Sequence, residues 1–268
     1  MKLGFRLFTW AIFATLVFTV PAIGQDGPTP ASLYNEGVAA LKAKEYNNAL
    51  ELFEQALEKA DPESDEQIVN LASKNGAIAA YYSGRDARRD NKLDEGLEIY
   101  EKGIAMNPMF WGNYDGKARV LNSKNDAAGA MNAFIQGSQA AAEEGNADKA
   151  SELMDNATIF VSKVYTSNKW DETIELGNSF LEHGESADVR FYLARALKEK
   201  NQLDKALEHA NKAIELAEGG AEGRNYFAQA EIYEAMGNTS AAIAAYKKVP
   251  SGTYGEMAQY KVNQMANQ

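Results

Sequence analysis

Side chains able to carry acid–base or metal chemistry are few in this sequence. Its two histidines, His183 and His209, each follow a glutamate, Glu182 and Glu208. An imidazole beside a carboxylate is the beginning of a general base or of a metal-ligand set. A zinc-binding helix, however, needs two histidines one turn apart, and these two stand in different segments of the chain. Cysteine is absent, which removes thiolate zinc sites, iron–sulfur clusters, cysteine nucleophiles and disulfides. It also removes the lipidated cysteine that a bacterial lipoprotein anchor requires. Aspartate and glutamate together number 38, so neighbouring carboxylates arise by chance, and none sits in a recognisable acid–base setting. Gly219-Gly220 lacks the lysine of a phosphate-cradling loop, and no Gly-x-Ser-x-Gly elbow is present. Asn156-Ala157-Thr158 and Asn238-Thr239-Ser240 match the glycosylation triplet, but both fall on segments read below as helical. The residues therefore predict no catalytic centre, no metal site and no cofactor.

What must position the remaining side chains is a folded, acidic chain of 268 residues, 45% apolar and 24% charged. These proportions exclude global disorder. A formal net charge of −11 argues against nucleic acid as the main ligand, because phosphate binding needs a basic surface. It argues equally against adhesion to an anionic membrane.

The first residues read as an address. Lys2 and Arg6 precede an almost wholly apolar run from Leu7 to Val20, Pro21 ends it, and Ala22-Ile23-Gly24 supplies small residues for a peptidase. This is the order of a secretory signal over 1–24. The run is shorter than the roughly twenty residues a spanning helix needs; the alternative reading is an uncleaved signal anchor. Cleavage after Gly24 leaves Gln25 first, takes Lys2 and Arg6 away, and moves the net charge from −11 to −13. Residues 25–30 then form a flexible lead-in. The resulting expectation is export across the inner membrane to the periplasm or the outer membrane, with no stable membrane insertion of the mature chain.

The rest of the chain repeats itself. Gly96 and Ala130 are 34 residues apart, as are Tyr100 and Phe134, and Gly103 and Gly137. Thr173 to Ala206 is 33 and Ala206 to Ala242 is 36. Twelve residues before each of these small residues stands another: Gly37/Ala49, Gly84/Gly96, Ala118/Ala130, Ala194/Ala206 and Ala230/Ala242, with Val161/Thr173 keeping the spacing in larger side chains. Paired small residues at fixed spacing let two helices approach, while Phe53, Tyr100, Phe134 and Tyr246 fill the gaps around them.

These columns resemble the tetratricopeptide repeat family, of a secreted bacterial type. The family's elements stand here as Ala230-Glu231-Ile232-Tyr233, as Ala49, Ala130 and Ala242 followed four residues later by Phe53, Phe134 and Tyr246, and as the closing prolines Pro62, Pro108 and Pro250. Tyr46, Leu93, Trp170 and Leu203 take the turn position. The resemblance implies an all-α, right-handed superhelix of about six helix–turn–helix units, some thirteen helices, with the array over 31–250 and a capping helix over 251–268. The fourth unit departs most, at Thr173, Gly177 and Phe180. Two long connections, Ala49 to Gly96 and Ala130 to Thr173, predict longer helices: one from a Ser64-x-x-Gln67 capping box to about Asn91, another from an Asn146 cap to about Thr166. Met257, Tyr260, Val262 and Met265 are expected to close the last hydrophobic face.

In this family the first helix of each unit lines a concave groove. Carried over, the groove would hold Tyr81, Arg85, Arg88, Arg89, Arg119, Asn122, Tyr165, Phe191, Arg195, Lys198 and Phe227. Guanidinium groups beside aromatic rings suit an extended acidic, partly apolar segment of another protein. Alternatively these arginines pair with Asp86, Asp90 and Asp115 and solvate the array. The function that follows is a non-enzymatic protein-binding scaffold. A structural component using its convex face, or a binder of a glycan or small ligand, is the alternative.

Overall fold

The computed structural model describes residues 27–217 and 222–267. The expected signal over 1–24 and the start of the lead-in lie outside the described residues. Thirteen helices and no strand are found among them: α1 (Pro30–Lys42), α2 (Tyr46–Lys59), α3 (Glu66–Arg89), α4 (Leu93–Met106), α5 (Trp111–Ser123), α6 (Ala127–Glu143), α7 (Ala147–Thr166), α8 (Trp170–Leu181), α9 (Ala187–Glu199), α10 (Leu203–Leu216), α11 (Glu222–Ala235), α12 (Thr239–Tyr246) and α13 (Thr253–Ala266). They form two compact units that divide within α3, Met1–Ser83 and Gly84–Gln268.

Each helix pair is joined by the same turn. Lys44, Asn91, Asn125, Asn168, Asn201 and Gly237 all have positive φ, between 56° and 74°. In each, the turn residue's N–H donates to the carbonyl three residues back, and the next residue's N–H donates to the carbonyl five back, as in Asn125 to Asn122 and Asp126 to Leu121. This double closure satisfies the orphan carbonyls at a helix end. The left-handed residue stands five positions before the small residue of the second helix in every unit, Lys44 before Ala49 and Gly237 before Ala242. Asparagine serves here because it tolerates this conformation better than other side-chain-bearing residues. The α6–α7 connection uses the same closure at Gly145.

The small columns hold the helices together. Ala118, Ala130, Ala194, Ala206, Ala230 and Ala242 are fully buried, and so are Val161 and Thr173. A methyl group on Gly96 would come 3.4 Å from the backbone oxygen of Gly84. In the N-terminal unit a methyl on Gly37 would meet the Phe53 ring at 2.8 Å.

The long helices are present. Helix α7 starts at the expected Asn146, whose Oδ1 accepts from the Lys149 N–H at 3.1 Å. Helix α3 starts one residue later than the expected Ser64 cap implies, behind Asp65, and a different set of bonds closes its start: Asp61 Oδ1 accepts from the N–H groups of Glu63 and Ser64 at 3.0 and 2.9 Å, and Asp65 accepts from the Asp61 N–H.

In the fourth pair the sizes are exchanged. Gly177 occupies the aromatic column and Phe180, fully buried, the small one. Leu193 from α9 fills the space over Gly177, where a methyl group would meet it at 2.7 Å. The Thr173 hydroxyl, in a small-residue place, is satisfied by donating to the Lys169 carbonyl at 2.9 Å. At the C-terminus, Ala258, Val262 and Met265 of α13 pack on Phe227, Ala242 and Tyr246. Met257 and Tyr260 do not join them: they are 49% and 62% exposed. The reason is helical geometry, since these two point to the side of α13 away from Ala258 and Val262.

Candidate protein-binding face

Three columns run along the first helices from α3 to α11, fixed by the small residue that faces each second helix. The residue after it gives Arg85, Arg119, Ser162, Arg195 and Glu231. One turn further on come Arg88, Asn122, Tyr165, Lys198 and Glu234, and one turn before come Asp115, Thr158, Phe191 and Phe227, while Tyr81 stands in the N-terminal unit. Residues three and four apart share one helix face, so the columns lie side by side on each helix.

The cations in them have partners. Arg85 and Arg89 both reach Asp86, at 3.2 and 3.6 Å. Arg119 grips Asp115, one turn back on α5, with Nε at 2.8 Å and a second nitrogen at 3.0 Å. Arg195 pairs with Glu231 on the next first helix, Lys198 with Glu199 at 3.3 Å, and Glu234 accepts from Lys261 of α13 at 3.2 Å. Asp188 and Arg224 pair across the same two helices, α9 and α11. The end of α3 is different: two guanidinium groups share the one carboxylate of Asp86, and Arg88 Nε is buried with no hydrogen-bond partner. One of the two expected roles of the arginines, pairing with acids, is thus what Asp86 and Asp115 do; Asp90 is exposed beside them.

Among the aromatic residues, Tyr165 is half-buried at the surface, while Phe191 and Phe227 are 9% and 5% exposed. Phe191 lies edge-on to Tyr165 at 6.1 Å and carries the Arg224 guanidinium over its ring at 4.8 Å. Phe227 packs on Tyr246 and Tyr254 at 5.2 and 5.5 Å. The two phenylalanines hold neighbouring helices together rather than offering open rings. Tyr192, which sequence reasoning missed, is half-exposed and 4.9 Å from Tyr165. Only its place beside Phe191 signalled it. Asn122 is exposed and accepts from Lys163 of α7 at 3.5 Å.

The histidines sit apart. The Gln139 amide is 3.4 Å from His183 Nδ1. Arg190 donates to His209 Nδ1 at 3.2 Å while gripping Glu185 at 2.7 and 3.0 Å. Burial, and then the neighbouring guanidinium, push His209 below the ordinary histidine value. Hydrogen bonding from Arg190 holds Glu185 below the usual carboxylate range. Among the described residues no group of three histidine, aspartate or glutamate side chains is placed to hold a metal ion. No described helix is long and apolar enough to cross a membrane.

Packed helix pairs, repeated turns and aligned first-helix columns define an all-α helical-repeat protein. The tetratricopeptide repeat family model matches residues 30–58, 187–219 and 223–249, so the α1–α2, α9–α10 and α11–α12 pairs match tetratricopeptide repeats. Among solved structures it is similar to YrrB, described as a tetratricopeptide repeat protein with an unusual peptide-binding site, at 18% identity over 78% of this chain and 97% of that one, with a TM-score of 0.42. It is similar also to a tetratricopeptide repeat protein of Parabacteroides merdae, at 14% identity over 90% and 100% and a TM-score of 0.35. PilF of Pseudomonas aeruginosa is similar at 14% identity over 87% and 97%, with a TM-score of 0.39. No curated protein sequence matches the chain.

Proposed function

We propose that this chain is a non-enzymatic scaffold, exported to the bacterial envelope, that holds an extended segment of another protein along its first helices. Tetratricopeptide repeats are protein-interaction modules, and stacked repeats present long binding surfaces. The observation that carries the reading is the end of α3, where Arg85 and Arg89 share Asp86 and the Nε of Arg88 is buried without a hydrogen-bond partner. On the following first helices Arg119, Asn122 and Lys163 continue a polar, basic row. In a chain of net charge −11 such a row attracts an acidic segment and repels it elsewhere, which fixes its place. Tyr165 and Tyr192 offer apolar area further along. Export rests on the signal pattern of residues 1–24, and the mature protein then begins at Gln25, in the periplasm or at the outer membrane.

The test is charge reversal at Arg85 and Arg119. An Arg85→Glu, Arg119→Glu variant with unchanged helical circular dichroism is expected to lose the partner recovered by crosslinking from the envelope. Mass spectrometry of the recovered protein reads its first residue. Recovery of the same partners by the variant would transfer binding away from this face.

A second reading has its own support. The Asp188–Arg224, Arg195–Glu231 and Glu234–Lys261 pairs neutralise the face between α9 and α13. There the chain is built to hold itself together, which suits an assembly component that docks by its other face or its ends.

A further inference from the structure

We infer that the outer face of α13 is a self-association surface, on which two copies of this chain meet α13 to α13. The inference does not rest on the first-helix reading. Four large apolar side chains are exposed among the described residues, and three are on this helix: Tyr254, Met257 and Tyr260, at 41%, 49% and 62%. The fourth, Ile159, stands alone on α7. Helix α13 already spends one face on the fold, through Ala258, Val262 and Met265. Met257 and Tyr260, flanked by Thr253 and Gln264, form a second stripe at helical spacing, pointing away from it. The Gln264 amide donates to the Tyr260 hydroxyl at 2.8 Å and steadies that ring.

Two properties of the stripe select a second copy as its occupant. The first is order. In an antiparallel pair about a two-fold axis passing between residues 258 and 259, Met257 of one copy falls level with Tyr260 of the other, and Thr253 level with Gln264. An isologous contact requires this self-complementarity, each residue meeting the one that meets it, and methionine against an aromatic ring is a favourable pairing. The second is charge. Helix α13 carries one glutamate, Glu256, and one lysine, Lys261, so two such helices meet without bringing like charge together. Elsewhere the chain is acidic overall, and copies repel. Ile159, the other large apolar side chain among the described residues with this exposure, stands alone.

The area sets the strength. Tyr254 turns towards Phe227, and the remaining two side chains each offer on the order of 100 Å², so Met257 and Tyr260 supply ~200 Å² per copy. That lies with the transient interfaces below about 1,200 Å² in total. The dimer is therefore weak and concentration-dependent.

Sedimentation equilibrium of the whole mature protein over a wide concentration range tests this. The expected result is a monomer–dimer equilibrium that is lost in Tyr260→Glu and kept in Ile159→Glu. Both side chains are exposed, so neither change disturbs the core, and circular dichroism checks that. Because the chain has no cysteine, a Met257→Cys variant treated with a short bismaleimide is expected to link two copies, whereas Ile159→Cys is not. A protein that stays monomeric throughout, a dimer that survives Tyr260→Glu, or equal linking from both positions would overturn the inference.

Discussion

Tyr100, on the second helix of one repeat, rests against the bare backbone of Gly116 on the first helix of the next. A methyl group at Gly116 would fall inside the ring's contact distance, with Cε1 and Cζ nearest. On the other side the ring meets Gly84, where a methyl group would sit 2.9 Å away. One aromatic side chain thus sets the spacing of three helices. Glycine is an otherwise poor choice in a helix, costing about 1 kcal/mol relative to alanine. Gly116→Ala recovers that propensity but overpacks the contact, at a cost of roughly 1–3 kcal/mol. The expected balance is a net loss of up to about 2 kcal/mol in chemical denaturation. With Tyr100→Ala already made, the same substitution should become neutral or stabilising, which a double-mutant cycle measures.

The repeated turn gives a prediction of opposite sign. Lys44 has φ 65° and occupies the place that asparagine takes in four of the other five units. Left-handed backbone costs a side-chain-bearing residue about 1–2 kcal/mol, and asparagine less. Lys44→Asn should therefore raise stability by about 0.5–1 kcal/mol, while Asn125→Ala should lower it by about 1 kcal/mol. Thermal melts of the two variants read both.

Protonation of His209 should weaken the fold. The group is held below its ordinary value by burial and by Arg190, with Glu208 and Glu185 acting in the opposite direction. The unfolded chain binds the proton more readily, so this contribution is present above about pH 6.5 and is lost as pH falls towards the depressed folded value. Arg190 also donates to Nδ1, a bond that the imidazolium cannot accept. Stability measured between pH 7.5 and 5 should fall less steeply in His209→Gln than in the parent. Equal slopes would contradict the assignment.

Much of the architecture is legible because it is written in residue size. A helix-to-helix approach tolerates only a small side chain, so Gly84/Gly96 and Ala118/Ala130 mark their helices wherever they recur. The Asn146 cap is legible for a similar reason, since few side chains can bond a helix's first N–H groups. The turn column from Lys44 to Gly237 went unread. Its asparagines look like ordinary polar residues until the backbone shows that each is left-handed.

The fourth pair is where size reasoning loses its hold. Gly177 and Phe180 exchange roles, and the exchange works only because Leu193 arrives from another helix, which no local pattern announces. The family model likewise passes over α3 to α8, the stretch holding three of the lengthened helices, α3, α6 and α7. The face was less legible than the fold. Position on a helix says that Phe191 and Phe227 share a column with Asp115, but not that neighbouring helices cover them. Nor does it say that Arg195 finds Glu231, since ion pairs between repeats depend on how the repeats stack.

Site-specific photo-crosslinking in the native host cells tests whether a protein segment lies along the first helices. A photoreactive residue is placed at Asn122, exposed at the end of α5, and in a parallel strain at Glu98, exposed on the second helix α4. The expected result is one discrete crosslinked protein from position 122, none from position 98, and loss of the adduct at 122 when Arg85 and Arg119 are reversed to glutamate. Adducts from position 98 alone, or an adduct at 122 indifferent to the charge reversal, would contradict it.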